Sequence, residues 1–199
     1  KDGEVVNFGD IAFEVDAKVH TILQAERLSL NCMQRMSGIA TLTNQYVELI
    51  KNYNTKILDT RKTTPALRYF EKWAVRIGGG ENHRYGLFDM ILIKDNHVDA
   101  AGGIVPALER ANEYLKSTGR SLPIEIETRN LEEVREALEY GRLQRIMLDN
   151  FTPNLLREAI ELIDGRMETE ASGGITLDTV RNFAETGVDF ISVGALTHS

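Results

Sequence analysis

The chain has 199 residues, 42% of them apolar and 27% charged, with a formal net charge of −7. This is the balance of one barrel-sized globular domain or two small ones, and the acidity excludes nonspecific nucleic-acid binding, which needs a Lys/Arg footprint. A single cysteine, Cys32, excludes an internal disulfide and fits a reducing cytosol, so a cytoplasmic location is expected.

No apolar run approaches the roughly 20 residues of a membrane helix, and no signal peptide is visible. The first residue is Lys1 rather than Met, and the last residues stop abruptly after a strand-like stretch. A piece of a longer protein is the expectation.

Residues 4–15 read as short strand pieces around Gly9. Val19, Leu23, Leu30 and Met33 then recur at helical spacing, predicting a long helix over about 17–53 that Gly38 breaks or bends. Strands are predicted at 56–59, 90–93, 124–127, 145–149, 167–171 and 190–193. The helices between them are well punctuated. Asn130 caps one, with Glu133 completing a capping box and Gly141 ending it. Thr152-Pro153 opens the next and Gly165 closes it. Thr176 opens a third and Gly187 closes it.

Strand alternating with helix implies a parallel sheet, because parallel strands need a crossover. About six such units suggest a TIM-like barrel, with a doubly wound open sheet as the alternative. Glu125 and Glu127 share one strand face, as do Glu168, Glu170 and Ser172. Acids should not face covering helices, so they are expected to point into a barrel lumen. The competing reading is an edge strand with a wet face.

Cationic groups fall where strands end and loops begin, the rim where parallel α/β folds bind ligands. They lie in Asp59-Thr60-Arg61-Lys62-Thr63-Thr64-Pro65, Asn82-His83-Arg84-Tyr85-Gly86 and Lys94-Asp95-Asn96-His97. Gathered on an acidic protein, they point to a small, strongly anionic substrate. Arg61 offers a planar fork for a carboxylate or phosphate and Lys62 a point charge, against the plain reading of a solvated loop pair. Gly78-Gly79-Gly80, just before His83 and Arg84, permits close backbone approach and mobility, or is simply a flexible surface loop with incidental charges. Lys94, ending a strand apolar on both faces, is paired with Glu127 or Asp149, or awaits an anion; a Schiff-base role is conceivable.

Glu127 and Asp149 at a rim can hold Mg²⁺ through water or grip ribose hydroxyls; Asp149 could instead cap the next helix. Ser172-Gly173-Gly174 and Gly194, at the ends of two late strands, look like a barrel phosphate site or like plain turn glycines. Glu26-Arg27 reads as a solvated helix face. His97 and His198 could be ligands or hydrogen bonders. No zinc spacing, Ser-His-Asp arrangement, Walker loop or dinucleotide fingerprint stands out.

Taken together, these motifs resemble the quinolinate phosphoribosyltransferase family (nicotinate-nucleotide pyrophosphorylase, carboxylating), type II phosphoribosyltransferases. The resemblance runs from Glu26-Arg27 and Gly38-Ile39-Ala40-Thr41 through the three cationic motifs to Leu148-Asp149-Asn150 and Glu170-Ala171-Ser172-Gly173-Gly174-Ile175. It implies an α/β fold, part of an α/β sandwich domain followed by an incomplete, seven-stranded TIM-like α/β barrel. Residues 1–38 would be the remainder of the sandwich with its linking helix, and 39–199 the catalytic barrel. The implied activity is a pentosyltransferase step of NAD biosynthesis. Quinolinate and phosphoribosyl pyrophosphate, with Mg²⁺, give nicotinate mononucleotide, pyrophosphate and CO₂, in a homodimer with shared sites.

By matching position, Arg61, His83, Arg84 and Lys94 look like binders of the quinolinate carboxylates, and Arg27 like the arginine donated across the dimer. Lys62, Glu127 and Asp149 resemble the groups for the phosphoribosyl substrate and its Mg²⁺, with Lys62, Lys94, Glu127 and Asp149 as the catalytic set. Ser172, Gly173, Gly174, Gly194 and His198 resemble the phosphate-binding end. The chain departs from the family at Ala66, where glycine usually follows Thr-Thr-Pro, and in lacking the family's opening elements and C-terminal end. The alternatives are a nicotinate-using or molybdenum-associated sister on the same scaffold, a Schiff-base lyase using Lys94, and a noncatalytic binder.

Overall fold

The structure, a computed structural model, describes residues 1–198. Helix α1 spans Val19–Ile50, followed by β1 (Lys56–Leu58), α2 (Arg68–Ile77), β2 (Ile91–Ile93), α3 (Asp95–Ala101) and α4 (Ile104–Thr118). Then come β3 (Ile124–Thr128), α5 (Leu131–Tyr140), β4 (Arg145–Asp149), α6 (Pro153–Ile163), β5 (Glu168–Ser172), α7 (Val180–Ala184), β6 (Phe190–Ser192) and a 3₁₀ turn, Gly194–Leu196.

The six strands are parallel, in the order β1-β6-β5-β4-β3-β2. From β2 to β6 each strand neighbours its successor in sequence, and the last pairs with the first. That is barrel winding; a doubly wound sheet would reverse direction partway. The barrel is open between β1 and β2. One further parallel bridge, Leu58 to Glu81, stands on the β1 side of that gap in place of a seventh strand.

Register places Glu125 beside Arg145 beside Glu168, and Glu127 beside Met147 beside Glu170. These side chains share the inner face. The outer face carries Ile124, Ile126, Ile146 and Leu148, all buried under α5 and α6 with Val134, Leu138, Leu156 and Ile163. Strands β3 and β5 are interior, so the edge-strand reading fails and the acids do face the lumen.

Helix punctuation follows local chemistry. Asn130 accepts the Glu133 amide and Gly141 takes the left-handed C-cap. Glu133 returns its carboxylate to the Arg129 amide at 2.7 Å, one residue earlier than a capping box would have it. Thr152 caps α6 with Pro153 at its first turn. Helix α7 begins only at Val180, because 177–179 form turns after Thr176.

Three expectations fail. Residues 4–15 form no strand and are exposed: alternation becomes a strand only where an edge is offered for pairing. Gly38 does not interrupt α1, which runs continuously through it. The flexible-loop reading of the triple glycine fails, and its close-approach reading holds. A side chain at Gly78 would collide with the Ala40 carbonyl, and one at Gly80 would lie 2.8 Å from Thr43, so these glycines let α2 end against α1.

Candidate active site

The loop after α2 fills the gap between β1 and β2 and carries His83 and Arg84 to the lumen. It is fastened at both ends. Asp89 accepts the Tyr85 and Gly86 amides at 2.6 and 2.9 Å, closing the turn that follows Arg84. On the other side Asp59, at the end of β1, accepts the His83 amide at 2.9 Å and the Asn82 side chain at 2.6 Å.

The His83 ring drops into the lumen, where it is 8% exposed. Its Nε2 lies 2.9 Å from Glu125 and 3.4 Å from Glu170, close contacts that are not aligned as hydrogen bonds. Arg145 pairs with Glu170 at 3.1 Å and Glu168 at 2.9 Å, and lies over the Phe190 ring. Burial opposes an imidazolium most strongly, yet the two glutamates held against the ring raise His83 to about 9. Burial and the neighbouring Glu170 charge push Glu125 up to about 7. Glu170 is held low against burial by His83 and Arg145.

The atoms of His83, Glu125 and Glu170 converge closely enough, within 4.8 Å, to surround a metal ion. The ring argues otherwise. Nε2, the atom a metal would need bare, carries a proton in either state of the ring: while neutral, because Nδ1 then accepts the Arg84 amide at 2.7 Å, and when charged, because both nitrogens are then protonated and that bond is given up. The trio is therefore a buried charge cluster beneath the rim.

At the rim, Arg84 is half-buried and makes only one long bond, 3.4 Å to the Met90 carbonyl. Burial first, then the nearby Arg61 charge, lowers its pKa. The Arg61 Nε is buried without a partner. Two guanidiniums near enough for one charge to act on the other, both incompletely satisfied, suit a planar dianion. Lys94 is not buried as its strand suggested; its side chain is 45% exposed and Nζ pairs with Glu127 at 3.1 Å. Glu127 also accepts the Asp95 amide at 3.1 Å. His97 serves the backbone, accepting the Lys94 amide at 3.0 Å.

Asp149 ends β4 two residues beyond Met147, on the same face as Glu127. It does not cap α6, which Thr152 does; it accepts the Asn150 side chain at 2.7 Å. Asn150, with φ +57, packs so closely that Gly173 has no room for a side chain, and its amide bonds the Ser172 carbonyl at 2.8 Å. At the next strand end, a Cβ on Gly194 would sit 2.6 Å from His198 Nε2 and 3.7 Å from the Lys62 chain. Thr197 ties this corner down by donating to the Lys62 carbonyl at 2.8 Å.

Thus Arg61, Lys62, His83, Arg84, Lys94, Glu127, Asp149, Ser172, Gly173, Gly174, Gly194 and His198 all fall at strand ends or in adjoining loops on one rim. Arg27 does not join them: on α1, 77% of its side chain is exposed and it touches only Glu26. Two groups escaped sequence reading. Lys72 on α2 is buried against Asp59, and Arg145 was not picked out, because neither signals through spacing. Ala66 has φ +64, in the left-handed region that favours glycine, the residue the family resemblance led one to expect there. A groove of about 510 Å³ between α1 and residues 195–198 shares only His198 with this rim.

Residues 39–199 match the family described as quinolinate phosphoribosyl transferase, C-terminal domain. The whole chain is 54% identical to a chloroplastic nicotinate-nucleotide pyrophosphorylase [carboxylating] of Arabidopsis thaliana, covering 61% of that protein. It is 50% identical to a mitochondrial quinolinate phosphoribosyltransferase [decarboxylating] of Nicotiana glauca, covering 60% of it. The crystal structure of NadC from Streptococcus pyogenes superposes on all of this chain, and over 68% of its own, with a TM-score of 0.92 at 42% identity. The chain thus spans about three-fifths of the length of these plant relatives. Their chloroplastic and mitochondrial names overturn the expectation of a cytoplasmic protein, which rested on one unpaired cysteine, equally at home in any reducing compartment. On its family match and its fold, the chain belongs to the quinolinate phosphoribosyltransferase family.

Proposed function

We propose that this chain carries the site for phosphoribosyl transfer from phosphoribosyl pyrophosphate to quinolinate, with loss of CO₂. The observation that carries the reading is Arg61 and Arg84 at one rim, each under-bonded and within reach of the other's charge. With Lys94 they match the two adjacent carboxylates of quinolinate better than a monocarboxylate. A Schiff-base lyase leaves the guanidinium pair without a purpose.

In this reading Arg61, Arg84 and Lys94 hold the dianion flat, with its ring nitrogen facing the ribose. His83 lies directly beneath. The nitrogen bonds to C1 of the ribose as the bond from C1 to pyrophosphate breaks. Lys62 offsets charge on the departing pyrophosphate, and Glu127 and Asp149 stabilise positive charge at C1 and hold the ribose hydroxyls. The C2 carboxylate then leaves as CO₂, its bonding electrons held by the pyridinium until a proton from water replaces it. Ser172, Gly173, Gly174, Gly194 and His198 form the corner for the 5′-phosphate, where bare backbone allows close approach.

Glu127 and Asp149 suit Mg²⁺, being hard carboxylate oxygens on neighbouring strand ends and one face. Two carboxylates cannot fill its coordination alone, so water and substrate oxygens would supply the rest. The ion contributes neutralisation of pyrophosphate charge. A homodimer in which Arg27 completes the partner's site is supported by its exposure and by the exposed Val19, Leu23 and Leu28 on the same helix.

The test is product analysis with phosphoribosyl pyrophosphate, with and without Mg²⁺, offering quinolinate and nicotinate in parallel. Nicotinate mononucleotide and CO₂ from quinolinate alone is the expected result. Turnover of nicotinate instead, or of neither, sinks the reading.

A further inference from the structure

Helix α2 buries two charged residues beside the apolar Ala74 and Val75. It exposes Tyr69, Phe70 and Trp73 while Glu71 and Lys72 are buried at 0% and 2% exposure. Glu71 is matched by Arg35 at 3.0 Å and by the Thr64 amide at 3.1 Å. Lys72 reaches the other way. Its ammonium donates to Asp59 Oδ1 and, at 2.9 Å, to the carbonyl of His83.

The same Asp59 oxygen accepts the His83 amide at 2.9 Å, and the Asn82 side chain spans from Asp59 to the Lys72 carbonyl at 2.6 and 2.9 Å. One buried ion pair therefore grips the His83 residue at both its amide and its carbonyl. Arg84 is the next residue, and its own amide is held by the His83 ring at 2.7 Å.

Stability alone does not require this arrangement. A buried ion pair contributes little more than well-packed apolar side chains of similar volume. An apolar pair cannot hold a peptide group from both sides. We infer that Lys72 and Asp59 are positioning residues: their buried pair fixes the 82–84 loop so that the Arg84 guanidinium stands within reach of the Arg61 charge at the rim. This rests on the reading of Arg84 as a ligand of the pyridine dicarboxylate. Neither residue touches that substrate.

The experiment compares Lys72→Met with the double variant Lys72→Met/Asp59→Leu in the full chain, measuring KM for each substrate, Tm, and amide hydrogen exchange. Lys72→Met raises KM for quinolinate about tenfold or more and leaves KM for phosphoribosyl pyrophosphate within about twofold. It speeds exchange at the His83 and Arg84 amides but not in β3 or β4. The double variant regains much of the Tm, since no charge is left buried alone, and keeps the raised KM. If Lys72→Met fails to fold, Asp59→Asn, which keeps size and removes the charge, is read by the same KM and exchange measurements. Wild-type KM and exchange in a folded variant, or a double variant that restores both Tm and KM, overturns the inference. Should the unaltered protein not use quinolinate, the functional reading falls instead, and the exchange data alone decide the clamp.

Discussion

The floor of the barrel and its rim are both charged, but they treat charge in opposite ways. On the floor, His83, Glu125, Glu170 and Arg145 are buried and opposite charges face one another, although His83 Nε2, both Glu125 oxygens and one Glu170 oxygen make no aligned hydrogen bond. At the rim, Arg61 has a buried Nε with no partner, Arg84 has one long bond, and Lys94 and Asp149 reach water. A buried charge must be matched by the protein because nothing else can reach it. A rim charge can be left half-matched because a ligand completes it. The floor should therefore register in stability and the rim in substrate affinity.

The sharpest break of that contrast is Arg145→Met. It takes from buried Glu170 its guanidinium partner, leaving His83 alone to face both Glu170 and Glu125, and should lower stability by about 3–5 kcal/mol, read by denaturant unfolding. A loss below about 1 kcal/mol would erase the distinction between floor and rim. The converse test is Arg84→Ala. Here kcat/KM for quinolinate falls about tenfold to a hundredfold, while unfolding free energy shifts by less than about 1 kcal/mol.

Titration sharpens the same comparison. The folded pKa values of Glu125 and His83 are both raised, to about 7 and about 9. A raised folded pKa means extra protons bound in the native state, so the stability they confer is lost as pH rises. The fall should begin above the ordinary carboxylate range for Glu125 and continue from pH 6.5 toward 9 for His83, the two titrating as a coupled set. His83→Gln should flatten the upper part of that fall in thermal melts. The smallest effect is expected at Ala66→Gly. It relieves about 1–2 kcal/mol of left-handed strain but gives back about 0.5–1 kcal/mol of unfolded-chain entropy, for a small net gain in Tm and little change in kcat.

Much of this was legible from residue order. Local chemistry speaks through short spacings: the caps at Asn130 and Thr152, and the alternation that turned Glu125 and Glu170 inward. The rim motifs were legible for the same reason, since parallel strand ends converge on one face wherever strands alternate with helices. Other features were not. Residues 4–15 alternate like a strand but find no edge. Gly78 and Gly80 read equally as close-approach or flexible-loop glycines, and only the fold shows α1 packed against them.

What the sequence by itself determined was the alternation of strand and helix, the inward acids, and the set of rim residues, because each is set by neighbours a few positions away. Only the tertiary structure decided that Lys72 lies buried against Asp59, that Arg145 sits between two glutamates, and that Lys94 is tied to Glu127. Those partners are 13 or more residues apart, and a charge so placed in sequence is indistinguishable from a solvated one until the fold removes the water.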